Sequence, residues 1–149
     1  MSVRSWCLLG LGLVFASGCS DGVAPEIVPS LEAVTGKVLI DGKPSAGVAV
    51  TFVPAENNTG NPCSGSTDAS GAFSLTHRTG ATGIPAGDYV VVFSKMTMPD
   101  GSPIPEGQTA ADVMAVDQIP ERYRAIPNFE MTVSVPKGGK TFDFDLKSK

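Results

Sequence analysis

Apolar residues in this chain recur at every second position, in short runs broken by glycine, proline and aspartate. A period of two places successive side chains on opposite faces of an extended strand, so each run has one face to bury. In "VTGKVLI", Val34, Val38 and Ile40 share a face, with Thr35 and Lys37 on the other. "GVAVTFVP" turns Val48, Val50 and Phe52 inward and stops at Pro54, which can donate no ladder hydrogen bond. "GAFSLT" buries Phe73 and Leu75, and "GDYVVVFSK" buries Tyr89, Val91 and Phe93. Near the C-terminus Met131, Val133 and Val135, then "PKGG", then Phe142, Phe144 and Leu146 read as a hairpin. "DGKP" at Asp41–Pro44 is a turn in which Gly42 is free to take a positive φ, and Asp68–Gly71 is a second turn.

Six or seven strands of this kind, with no long amphipathic period among them, predict an all-β domain built as an antiparallel two-sheet sandwich. At 149 residues and 42% hydrophobic, the chain has enough apolar side chains to fill one core. The exception to the strand pattern runs from Met96 to Asn128. Here Ala110–Val116 is expected to make one or two turns of helix, and Pro120 keeps Ile119 extended. A loop this long is either packed decoration or a recognition surface. Its binding-type side chains are Arg122, Tyr123 and Arg124, of the types frequent at interface hot spots.

The first residues pose a separate question. Arg4 is the only charge before Asp21, and Trp6 to Ala16 are all apolar or glycine. That is the length of a signal-peptide core and far short of the roughly 20 residues that span a bilayer. In "LVFASGCSDG" the greasy run stops at Ala16, Ser17 and Gly18, and Cys19 follows. The pattern resembles a bacterial lipobox. The resemblance implies cleavage between Gly18 and Cys19, a diacylglycerol on the Cys19 sulfur, and usually an acyl chain on the new amino group. Several acyl chains, each CH₂ contributing roughly 0.8 kcal/mol when buried, hold a protein firmly on a membrane. The alternatives are a plain secreted protein cut nearby, with Cys19 unmodified, and a cytosolic protein with a buried N-terminal helix. On the lipobox reading residues 1–18 are a signal peptide and residues 19–33 a tether, whose Ser20–Ala33 stretch reaches roughly 20 Å. By the sorting rule that accompanies the lipobox, Ser20 after the cysteine implies the outer membrane, facing the periplasm.

The domain itself, residues 34–147, carries a second likeness. The series "VTGKVLIDGKPSAGVAVTFVP", "TDASGAFSLT", "IPAGDYVVVFSK", "IPERYR" and "KTFDFDL" resembles the carboxypeptidase regulatory-like, or transthyretin-like, domain of bacterial envelope lipoproteins. Its most recognisable parts are the "DGKP" turn, Thr67–Phe73 and Pro85–Tyr89, which are turns and core aromatics. The resemblance implies a prealbumin-like or immunoglobulin-like sandwich and brings no reactive site with it.

Residue chemistry narrows the function by exclusion. A formal charge of −4 without a basic stripe argues against nucleic acid as a partner. One histidine, His77, and one cysteine beyond Cys7 and Cys19, Cys63, do not make a zinc site or an internal disulfide. Cys63 is expected as a surface or half-buried thiol, and His77, beside Arg78, on the solvent side just past a strand. Asp68 stands without neighbouring carboxylates, whereas calcium takes 6–8 oxygens, so its expected work is to close a turn. Asp143 and Asp145 read as a solvated strand face, and no serine has a Gly-x-Ser-x-Gly setting. The expectation is therefore a non-enzymatic, lipid-anchored envelope protein, without catalytic residues, metal or cofactor. Its membrane partner would be reached through Cys19, and its other partner would be an envelope protein or polysaccharide. Two alternatives stand beside this binding module. One is a self-associating structural component of the envelope. The other is a carbohydrate-binding module, for which the domain offers Tyr89 and Tyr123 but no tryptophan.

Overall fold

The computed structural model describes residues 30–126 and 131–148. Gly18 and Cys19, with the rest of the expected leader and most of the tether, lie outside the described residues. The described chain is all-β. Its strands are β1 (Leu31–Glu32), β2 (Val34–Ile40), β3 (Lys43–Pro44), β4 (Ala49–Pro54), β5 (Cys63–Ser66) and β6 (Ala72–Ser74). They continue as β7 (Ile84–Pro85), β8 (Gly87–Ser94), β9 (Met96–Thr97), β10 (Val116–Asp117), β11 (Thr132–Val135) and β12 (Lys140–Leu146). One sheet has the order β11-β8-β4-β5, antiparallel throughout. In the second large sheet, β12 lies on one edge of β2 while β3 and β6 share its other edge, and β1–β7 and β9–β10 form separate two-stranded ribbons.

The period of two decides which side chains are buried. Val34 and Val38 of β2, Val50 and Phe52 of β4, and Tyr89, Val91 and Phe93 of β8 all face the core. Phe142, Phe144 and Leu146 of β12 complete it. Rings from the two sheets meet directly: Phe52 lies 5.8 Å from Phe142 and Phe93 5.1 Å from Phe144, both edge-on. Such pairs add about 0.5–1.5 kcal/mol each beyond the area they bury. Phe73 of β6 and Phe142 each stack with Phe144, with ring centres 6.2 Å apart in both pairs. Gly36, mid-strand in β2, is required by this closeness. A Cβ there would lie 1.8 Å from the Phe142 carbonyl oxygen and 2.8 Å from the Phe73 ring.

The structure corrects four sequence-based expectations. First, the C-terminal pair is no hairpin. β11 pairs with β8, whereas β12 pairs with β2 in parallel, from Lys140↔Val34 to Leu146↔Ile40, so the fold is not purely antiparallel. Alternation says which face of a strand is buried but not which strand lies beside it. Here Gly138 and Gly139, at φ +97° and +80°, carry the chain from one sheet to the other. The Gly138 N–H is held at 2.7 Å by the Glu32 carboxylate. Second, the fold takes hold before Val34, because β1 pairs with β7 and the Lys140 N–H donates to the Ala33 carbonyl at 3.1 Å. Third, the expected helix at Ala110–Val116 is a run of turns closed by the Asp112 carboxylate on the Thr109 N–H and hydroxyl. The short helical piece is instead a 3₁₀ turn at Glu121–Tyr123. Fourth, β5 was not among the expected strands, since "CSGS" has one inward apolar side chain, Cys63, and no alternation to read.

The expected turns form as read. Asp41 and Gly42 both take positive φ, +51° and +77°, the two-residue hairpin connection favoured by Asp-Gly. At Asp68–Gly71 the Asp68 carboxylate accepts from the Ser70 N–H, the Ser70 hydroxyl and the Ala72 N–H. Those bonds, the Ser70 hydroxyl's first, hold its pKa below the ordinary value. Beside it the buried Thr67 hydroxyl donates to the Ser45 carbonyl at 2.6 Å and accepts from the Val48 N–H at 2.8 Å. Thr67 thereby ties the start of β4 to the Asp68 turn.

Candidate functional site

The segment 96–126 emerges from the end of β8 and is drawn back against the sheets. Its anchor is Asp117, on the short ribbon of β9 and β10. One carboxylate oxygen accepts from the Lys95 N–H at 3.0 Å and the Ile119 N–H at 2.8 Å; the other accepts from the Ser94 hydroxyl at 2.7 Å. Burial by itself would raise the pKa of Asp117. The three bonds, with the Arg124 charge nearby, outweigh burial and hold the carboxyl below its ordinary value. From this knot the chain runs into Ile119 and Tyr123, both buried. The 3₁₀ turn touches β8, while the Tyr123 hydroxyl accepts from the Lys147 N–H at 3.2 Å just past β12. One turn thus spans from the first sheet to the second.

This places the three expected recognition residues in different situations. Tyr123 is 7% exposed and packs into the fold. Arg122 lies with its guanidinium 4.8 Å from the Tyr123 ring centre and donates to the Lys147 carbonyl. Arg124 is exposed. The triplet therefore fastens the segment at least as much as it presents a surface. His77 is buried, contrary to the solvent-side position expected; its Nδ1 lies 3.0 Å from the Thr79 hydroxyl in a tight local turn. Cys63 is also fully buried, its thiol 3.4 Å from the Asn61 carbonyl, and burial pushes its pKa up. That disfavours the nucleophilic thiolate. Tyr89 belongs to the core, its hydroxyl bonded to the Pro85 carbonyl at 2.9 Å, and Asp145 accepts from the Gly42 N–H.

The concave feature that brings polar groups together sits where the β2–β3 turn meets the segment's base. A hollow of about 370 Å³ is lined by Lys43, Ser45, Lys95, Thr97, Gln118 and Ser148. Lys43 and Ser45 come from the edge of one sheet, Lys95 and Thr97 from the run leaving the other. The half-buried Lys95 ammonium donates to the Ser45 hydroxyl at 2.9 Å, and the Gln118 amide donates to the Thr97 hydroxyl at 2.9 Å. The cluster has no signature in the sequence, because its members are ordinary residues far apart in the chain. Among the described residues no three His, Cys, Asp or Glu side chains are grouped to hold a metal ion. No described helix is long and apolar enough to cross a membrane. Comparison with protein-family models, curated proteins and solved structures finds no match.

Proposed function

We propose that this chain is a lipid-anchored protein of the bacterial cell envelope, whose domain is a transthyretin-like, carboxypeptidase regulatory-like β sandwich acting as a non-enzymatic binding module. The observation that carries the reading is the junction at Leu13–Cys19, an apolar run ended by Ala16, Ser17 and Gly18 directly before Cys19. Acyl chains on Cys19 would fix the domain at a membrane surface, and Ser20 favours the outer membrane with the domain in the periplasm. Two sheets sharing one aromatic core support the sandwich assignment. The partner is then met by loops and sheet edges, as is usual where a rigid β scaffold displays its connections.

Intact-mass measurement of the membrane fraction tests the anchor. The expected species begins at Cys19 and carries the added mass of acyl groups. A Cys19→Ser chain should leave the membrane fraction; continued membrane association, or a native species with residues 1–18 still attached, would overturn the reading.

A further inference from the structure

We infer that the hollow between Lys43 and Lys95 is a binding site for the anionic group, carboxylate or phosphate, of a small molecule with a short apolar body. Lysine is seldom taken out of water without a counter-charge. Lys95 is half-buried, yet its side-chain partner is the neutral Ser45 hydroxyl, itself on a residue only 7% exposed. The nearby carboxylate, Asp117, is committed to the backbone of Lys95 and Ile119 and to Ser94. Among the described residues neither Lys43 nor Lys95 pairs with a carboxylate, and none lines the hollow. Two lysines therefore line one concavity that has no carboxylate in its lining; the Asp41 carboxylate just beyond it is taken up by the Ser148 N–H and hydroxyl.

Two further polar groups of the lining can serve an anion. The Ser45 hydroxyl, which accepts from Lys95, keeps its own proton to give, and the Gln118 amide keeps one N–H beyond its bond to Thr97. Both can join the lysines on a bound oxyanion, whereas the Thr97 and Ser148 hydroxyls donate to the Met98 carbonyl and the Asp41 carboxylate. A second hollow of about 340 Å³ adjoins the first, sharing Lys95, Thr97 and Gly101, and is lined further by Met96, Pro103 and Ile104. Met96 is 42% exposed although apolar. Lys95 stands at the junction, so an anion on its ammonium would leave an attached hydrocarbon over Met96, Pro103 and Ile104.

The site stands on different residues from the membrane anchor, so either can fail alone. The test follows backbone amide signals of the full chain during titration with hexanoate, inorganic phosphate and the uncharged hexanamide. Saturable shifts confined to residues 43–47 and 95–97 are expected with an anion and not with hexanamide. Hexanoate saturating first identifies a carboxylate ligand with an apolar body, and inorganic phosphate saturating first identifies a phosphate group. Lys95→Gln should weaken the binding about tenfold and Lys43→Gln, more exposed, about threefold. Signals of β4 and β8 without probe report whether each variant keeps its fold, and Lys43→Gln decides if Lys95→Gln does not. The proposal falls if neither anion saturates, if hexanamide matches hexanoate, or if a folded lysine variant binds as the parent chain does.

Discussion

The two sheets and the segment 96–126 are ordered by different physics. Between the sheets the contacts are rings and branched aliphatics, with Phe52 meeting Phe142 and Phe93 meeting Phe144 across the gap. Along the segment, order comes mostly from carboxylates capping backbone N–H groups. Asp100 closes a turn on Ser102, Asp112 closes one on Thr109, and Asp117 ties the segment's base. Bonds to the Ser102 hydroxyl, to the Thr109 N–H and hydroxyl, and around Asp117 hold all three carboxyls below their ordinary pKa. Among the described residues of the segment, Ile119 and Tyr123 are the buried apolar side chains. Burial is non-directional and indifferent to pH, whereas capping depends on charge and on geometry. A region ordered by caps can therefore open while the sheets stay intact.

The contrast can be broken first at its strong side. Phe52→Ala removes a fully buried ring that touches both Tyr89 and Phe142. Denaturant unfolding should show a loss of about 3–5 kcal/mol in one cooperative transition, with exchange accelerated in both sheets. On the other side, Ile119→Ala takes away an apolar pin that is 1% exposed. A cost of about 2–4 kcal/mol is expected, expressed locally. Hydrogen exchange should quicken at Gln118 and Tyr123 before it changes at Val50 and Val91. Equal acceleration at all four would show that the segment and the sheets unfold as one unit.

The smallest effect is set by pH. The folded pKa of Asp117 is below its ordinary 3.8, so its stabilisation is fully present above that value. It is lost as pH falls through the lower folded value. Exchange at Gln118 and Ile119, corrected for intrinsic rates, should rise on acidification across that window while Val91 stays protected. Asp117→Asn should remove the dependence; persistence of the same profile in that variant would assign the proton elsewhere.

Much of this contrast is legible in the residues. The inward faces of β2, β4, β8 and β12 follow from alternation alone, and the Asp-Gly and Asp68–Gly71 turns follow from backbone chemistry. β5 was invisible because an edge strand with a single buried side chain has no period. Tyr123 read as a recognition residue because an aromatic between two arginines has the composition of a hot spot. Composition does not say whether the ring meets a partner or its own sheets. The burial of His77 is hidden for a similar reason: a polar side chain after a strand turns inward here because a tight turn supplies a hydrogen-bond partner, Thr79.

By itself the chain specified its all-β class, its buried faces and its turns, because these depend on contacts between residues close in sequence. The tertiary structure alone decided that β12 runs parallel beside β2 and not back along β11, and that the 3₁₀ turn at Glu121–Tyr123 spans from one sheet to the other. It also brought Lys43 and Lys95 to one hollow. Those outcomes join residues separated by fifty positions or more in the pairings β2–β12 and Ser45–Lys95, and no local preference encodes such a meeting. It is set by which faces must be covered once the whole core has formed.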